Sequence, residues 1–248
     1  MNSRTALATV VRNATKVARR FLYGKWIFLD PAYLAYTNAR LQHLESLNLN
    51  LSKKNVLEVG SGIGLLTQFF ERKGCNVLST DGNIENVKEM QRRYHWRRIE
   101  LLDLDRIADL SSLGMFDVVF CYGTFYHLSK PAQALKALSC VCQEMILLET
   151  RVALGNYPEL HYVRELAGAE HAVSGVGCRP TRRWVMNKLR EYFGYAYQTK
   201  TQPYDQDFPV DWSIPPEQVN YNAVFVGSKR LMTNPNLLAD IPDHQYRA

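Results

Sequence analysis

An open α/β sheet with helices on both faces is the fold class that this sequence predicts. Three observations carry it. Short apolar runs alternate five times with amphipathic stretches between residues 55 and 149, the first run ends in glycines, and the second ends in an acid. An apolar run closed by glycine reads as a parallel strand buried on both faces, because helices must cover both sides of a parallel sheet.

Residues 1–29 carry Arg4, Arg12, Lys16, Arg19, Arg20 and Lys25 and no acidic side chain. Leu7, Val10, Val11, Ala14, Val17, Ala18, Phe21 and Leu22 recur at steps of three and four, which is one face of a helix. Such a helix suits an anionic membrane surface, a targeting presequence, or packing against the domain. Pro31 then interrupts, and Tyr33 to Leu47 reads as a helix with Leu34, Leu41 and Leu44 among its apolar positions. Residues 55–59 (N-V-L-E-V) form the first strand, 64–72 a helix, and Cys75 to Thr80 a strand closed by Asp81-Gly82. A helix at 84–93, a strand near 98–102, the strand Phe116 to Tyr122, a helix at 131–142 and the strand Met145 to Glu149 follow. Residues 151–180 have several glycines and little periodicity, and read as a segment inserted on the substrate side. Thr181 caps a helix over 182–193 with Trp184, Val185, Leu189 and Phe193 inward. Strands at 195–201 and 221–229 close the chain, joined by a loop with Pro203, Pro209, Pro215 and Pro216 that is placed to cover the site.

Composition narrows the function classes. At 248 residues, 46% hydrophobic and 22% charged, the chain is neither disordered nor collagen-like. No uncharged apolar run approaches the roughly 18 residues of a membrane span. Five cysteines without a C-x-x-C pair argue against a disulfide framework, so a reduced, cytoplasmic setting is expected, and no metal site is expected either. The net charge of +6 belongs entirely to residues 1–29, since the remainder holds 24 basic and 24 acidic side chains. A neutral body lacks the basic face that nucleic acid requires, so no nucleic-acid partner is expected and an RNA substrate is the less natural alternative.

The chemistry concentrates in V-L-E-V-G-S-G-I-G at 56–64, a strand-to-helix turn. Gly60 permits the turn, Gly62 lets backbone approach a ligand, and Gly64 opens the helix. Asp81, 21 residues beyond Gly60, stands where a carboxylate accepts both hydroxyls of a ribose. A dinucleotide site expects G-x-G-x-x-G, but here the third glycine comes one residue early and position 65 is leucine. Glu58 would repel a pyrophosphate. A cationic, zwitterionic ligand such as S-adenosylmethionine removes that objection, so the spacing favours a methyl donor over NAD.

The stretch Glu58-Val59-Gly60-Ser61-Gly62-Ile63-Gly64 resembles the E/D-x-G-x-G-x-G signature of class I S-adenosylmethionine-dependent methyltransferases. The similarity continues through Asp81, Asp103 and F-D-V-V-F-C-Y-G-T-F-Y-H-L at 116–128, and covers roughly residues 40–150. The resemblance implies a Rossmann-like, doubly wound sheet of seven strands, mostly parallel with an antiparallel last strand. It implies that Gly60, Ser61, Gly62 and Gly64 line the donor, Glu58 positions its amino-acid end, and Asp81 with Gly82 meets the ribose. Asp103 with Leu104 would meet the adenine edge, and Cys121 with Tyr122 would border the sulfonium.

Tyr126 and His127 fall just past the fourth strand, where the reaction is expected, and a histidine there takes a proton from a hydroxyl acceptor near neutral pH. A structural hydrogen bond is the alternative role for His127. Glu149 and Arg151 end the fifth strand, and Arg179, Arg182 and Arg183 form a cluster suited to a carboxylate or phosphate. The expected function is methyl transfer to a small organic acceptor at oxygen. RNA methylation and a non-catalytic, membrane-docked adaptor are the alternatives.

Overall fold

In a computed structural model the chain is described at residues 24–106, 109–165, 173–213 and 221–248. The basic segment expected to form the N-terminal helix lies outside these residues up to position 23. Residues Gly24–Leu29 form a 3₁₀ turn.

Five helices and twelve strands follow in the described residues. Helix α1 (Pro31–Ser46) begins two residues before its expected start, because Asp30 caps it: Oδ1 accepts from the Ala32 amide at 2.8 Å. Pro31 therefore starts the helix rather than interrupting it, a first-turn position where a missing N–H costs nothing. Strand β1 (Asn55–Val59) leads to α2 (Thr67–Arg72), β2 (Asn76–Asp81), α3 (Ile84–Arg93) and β3 (Arg98–Leu101). Asn83 caps α3 through the Glu85 amide at 2.9 Å. After β4 (Phe116–Tyr122) come α4 (Pro131–Val141) and β5 (Cys142–Val152), which at eleven residues is twice the expected length. A hairpin, β6 (Leu160–Arg164) and β7 (Val176–Pro180), occupies the segment read as non-periodic. Thr181 caps α5 (Arg182–Phe193) as expected, Oγ1 accepting from the Trp184 amide at 3.2 Å. The chain ends with β8 (Tyr195–Thr199), β9 (Thr201–Gln202), β10 (Tyr221–Ser228), β11 (Leu237–Leu238) and β12 (Tyr246–Arg247).

The main sheet runs β11-β8-β10-β5-β4-β1-β2-β3. Strands β1 to β5 are mutually parallel, and β10 enters antiparallel between β5 and β8, from Tyr221 opposite Val152 to Ser228 opposite Met145. The seven expected strands are present, and the two-residue β11 makes an eighth at the edge. One face packs against α4 and α5 through Val59, Cys121, Leu135, Leu138, Leu148 and Leu189. The other packs against α1 and α2 through Leu41, Leu44, Phe70, Phe120, Tyr122 and Leu147. Each fully buried valine, leucine or phenylalanine among them is worth about 1.5–3 kcal/mol. Strand order reverses between β1 and β4, so the crevice for a ligand opens at the carboxyl ends of those strands.

Candidate active site

The turn after β1 is built for close approach. Gly60 has φ +67°, and a Cβ there would stand 1.7 Å from Thr124 Oγ1 and 2.5 Å from Thr124 Cβ. Thr124 Oγ1 donates to the Gly60 carbonyl at 3.2 Å, pinning this turn to the one after β4. Gly64, at φ +80°, is left-handed and closes the turn instead of opening the helix, which starts at Thr67. The Ser61 amide donates to the Thr80 carbonyl at 2.9 Å, and its hydroxyl is buried beside the Glu58 carboxyl.

Two carboxylates face this turn. Glu58 is 1% exposed; its Oε2 accepts from Thr67 at 2.5 Å and Ser79 at 3.0 Å, while Oε1 is buried with no partner. Burial pushes its pKa up to about 7, against the pull of those hydroxyls. Asp81 accepts from the Gly62 amide (2.8 Å), the Asn83 amide (2.8 Å) and Asn86 Nδ2 (3.1 Å), and burial pushes it up to about 6. Those bonds occupy most of its acceptor capacity, so taking both ribose hydroxyls requires Asn83 or Asn86 to yield.

The remaining residues expected at the donor divide. Gly82 lies against Asp103 Cα and the side chain of Val173, which brings part of the 151–180 segment against the end of β2. Asp103 accepts from the Asp105 amide at 3.0 Å and pairs with the exposed Arg106 at 3.2 Å, holding a turn. The Leu104 side chain belongs to the core, leaving its backbone for any ligand contact. Cys121 is fully buried on the α4–α5 face, where burial raises its thiol pKa, and Tyr122 points to the opposite face. Strand alternation separates the two, so one sulfonium cannot be bordered by both side chains.

Past β4 a 3₁₀ turn (Phe125–His127) presents Tyr126 and His127 together, ring centroids 4.1 Å apart. His127 Nδ1 bonds Glu165 Oε2, and Arg179 reaches Glu165 Oε1 at 3.5 Å. Arg179 also donates to the Tyr126 carbonyl at 3.2 Å, so the hairpin is tied to this turn. Tyr126 lies under two cations, Arg151 at 4.4 Å and Arg179 at 5.3 Å from its ring, and burial pushes its hydroxyl up to about 12. The expected arginine cluster does not form. Arg182 lies over Trp212 at 3.9 Å and bonds Gln198 and the Pro242 carbonyl, while Arg183 bonds the Asn156 carbonyl.

One group escaped the sequence reading. Arg40 of α1 donates to Glu149 Oε2 at 3.1 Å, with side chains 2% and 0% exposed. Tyr36 lies 4.3 Å from that guanidinium, receives Asn222 Nδ2 at 2.9 Å and stacks on Phe208 of the proline-rich loop at 5.7 Å. Nη1 of Arg40 is 3.1 Å from where a Cβ on Gly123 would be, so this cluster borders the same turn as His127. A signal was present: Arg40 lies four residues before Leu44, on the apolar stripe where a charge needs a partner.

Residues 57–144, which span the glycine turn, Asp81 and β4, match the family model of a methyltransferase domain. The chain is 25% identical over 206 residues to ubiquinone biosynthesis O-methyltransferase of Acinetobacter baumannii, covering 73% of this chain and 81% of that one. These matches support a class I S-adenosylmethionine-dependent methyltransferase, with the methyltransferase domain at residues 57–144. It shares its fold with the N-terminal domain of EvdMO1 solved with SAH and D-fucose (TM-score 0.61, 20% identity, covering 78% of this chain and 83% of that one). The same holds for magnesium protoporphyrin IX methyltransferase of Synechocystis PCC 6803 with bound SAM (TM-score 0.52, 13% identity, 93% and 99%). As a methyltransferase it is an enzyme that uses S-adenosylmethionine, which sets aside both the NAD reading and the non-catalytic adaptor. One feature of the turn suits this donor: Glu58 offers an orphaned buried oxygen for an ammonium. Among the described residues no helix is long and apolar enough to cross a membrane, and no group of three or more His, Cys, Asp or Glu side chains is arranged to hold a metal ion.

Proposed function

We propose that this methyltransferase acts on a hydroxyl oxygen of a small organic acceptor, bound between the turn after β4, the amino end of α1 and the β6–β7 hairpin. The observation that carries it is His127 held by Glu165 beside Tyr126. The donor supplies a methyl group on a good leaving group, so alignment provides much of the acceleration. What the protein must add for an oxygen acceptor is a base. A carboxylate on one imidazole nitrogen fixes the ring and supports the positive charge that arises when the ring takes the hydroxyl proton. Glu165 serves as the positioning residue, and Tyr126 forms a wall of the acceptor site. Gly60, Ser61, Gly62 and Gly64 with Glu58 and Asp81 hold the donor, with Gly82, Asp103 and the Leu104 backbone at its nucleoside end. The O-methyltransferase relative supports oxygen as the accepting atom.

The test is transfer from S-adenosylmethionine to a panel of phenols, catechols, amines and thiols, with products identified by mass spectrometry. His127→Gln should lower the rate on hydroxyl acceptors by about 10²–10⁴-fold while leaving donor affinity intact. Methylation confined to amines or thiols, or an unchanged rate in the variant, would refute the oxygen reading.

Residues 1–29 add a second element to the proposal. Six basic side chains without an acid suit a contact with an anionic membrane surface. Phe28, 7% exposed and packed beside Gly62, belongs with the donor site instead.

A further inference from the structure

The acceptor site holds more positive than negative charge. Three guanidiniums, Arg40, Arg151 and Arg179, face two carboxylates. Glu149 is engaged by Arg40 and Tyr36, and Glu165 by His127 and Arg179. Arg151 alone makes no ion pair or hydrogen bond with its side chain among the described residues. It is half-buried at the carboxyl end of β5, with its guanidinium laid on the Tyr126 ring. Burial disfavours its charge, but Tyr126, Tyr36, Glu165 and Glu149 outweigh that and keep it protonated, while no carboxylate of the described residues meets its planar fork directly.

A second observation lies directly across the ladder. Asn222 of β10 is paired in register with Arg151 and is 3% exposed. Its Nδ2 donates to Tyr36, but its Oδ1 is buried without a partner. The Tyr122 hydroxyl, on the same face of the sheet, is also buried and unpartnered. Polar atoms in this state are the exception in folded proteins and call for a partner, water or ligand, to complete their bonding. Asn222 lies opposite Arg151 in the ladder and Tyr122 opposite Glu149, at the strand ends where ligands of such sheets bind.

We propose that Arg151 docks a carboxylate carried by the methyl acceptor, which makes the substrate a small organic acid. The planar fork of arginine matches the two oxygens of a carboxylate, and a single negative charge balances the single excess guanidinium. Asn222 Oδ1 accepts a hydroxyl or amide hydrogen from the same molecule. This assignment rests on the acceptor lying at the turn after β4, as argued above.

The experiment is calorimetry on the full chain saturated with S-adenosylhomocysteine. It is titrated with 3,4-dihydroxybenzoate and with the uncharged 3,4-dihydroxybenzamide. The acid should bind at least tenfold more tightly than the amide. Arg151→Gln should abolish that preference, and Arg151→Lys, which keeps the charge but loses the fork, should retain part of it. Equal affinity of the two ligands, failure of both to bind, or a preference that survives in Arg151→Gln would overturn the proposal. So would a loss of S-adenosylhomocysteine affinity in Arg151→Gln with the preference intact, because the guanidinium would then serve the donor. Melting curves of both variants establish that they fold. Methyl transfer to 3,4-dihydroxybenzoate is followed separately: its absence alongside an intact acid preference counts against the oxygen reading and leaves the carboxylate site standing.

Discussion

The Arg40–Glu149 pair provides the sharpest test of how the two halves of the site are joined. Both side chains are withdrawn from water, at 2% and 0% exposure, and they lie 109 residues apart, so the pair clamps α1 onto the end of β5. Glu149→Gln removes the charge while keeping the shape, and leaves a guanidinium buried against a neutral amide. Breaking one side of a buried pair costs about 3–5 kcal/mol, because an uncompensated charge remains inside. With a urea slope of about 2–3 kcal/mol per molar for a chain of this size, the unfolding midpoint should fall by about 1–2.5 M. Arg40→Met should cost a similar amount by stranding the carboxylate. The double variant Arg40→Met, Glu149→Gln should recover most of the loss, since replacing both charges by neutral groups of similar volume is close to neutral. Urea denaturation of the wild type and the three variants measures all of this in one cycle. A midpoint shift below about 0.3 M for Glu149→Gln, or a double variant as unstable as the sum of the singles, would refute the reasoning.

Three further outcomes follow from the donor side. Asp81→Ala should weaken S-adenosylmethionine binding by about 2 kcal/mol in calorimetry, through lost charge-assisted bonds and a loosened Gly62 amide; unchanged affinity would remove Asp81 from the donor site. Glu58 sets a pH dependence. Its folded pKa of about 7 lies above the ordinary 4.5, so the folded state holds the proton more tightly than the unfolded chain. Its contribution to stability is therefore fully present below pH 4.5 and is lost as pH rises to about 7, a loss of about 3 kcal/mol. Glu58→Gln should reduce that limb of the stability profile to the part that Asp81, raised to about 6, contributes, and parallel profiles would show that the burial argument fails. Finally, deleting residues 1–23 should leave donor affinity intact, because Phe28 is retained, and should reduce sedimentation with anionic vesicles; equal sedimentation would dismiss the membrane contact.

The elements that could be read from the chain alone are those whose cause is local. Helix α3 and strand β4 lie at their expected residues because side-chain periodicity depends only on neighbours in sequence. Thr181 before α5 and the glycines after β1 were equally legible, since caps and tight turns are decided within a few residues. Pairings across long stretches of chain were not legible. Nothing near Arg40 names Glu149, and nothing in R-P-T-R-R separates Arg179, which turns to Glu165, from Arg182, which turns to Trp212. The hairpin that carries Glu165 to His127 joins strands with no periodic signal, held by backbone bonds and by the turn it packs on. The sequence by itself determined the class of fold, the glycine turn and the carboxylates beside it, because those rest on spacing within single strand-turn-helix units. Only the tertiary structure decided which charges gather beside the turn after β4 and which guanidinium has no carboxylate against it, because burial and long-range pairing set the cost of each charge.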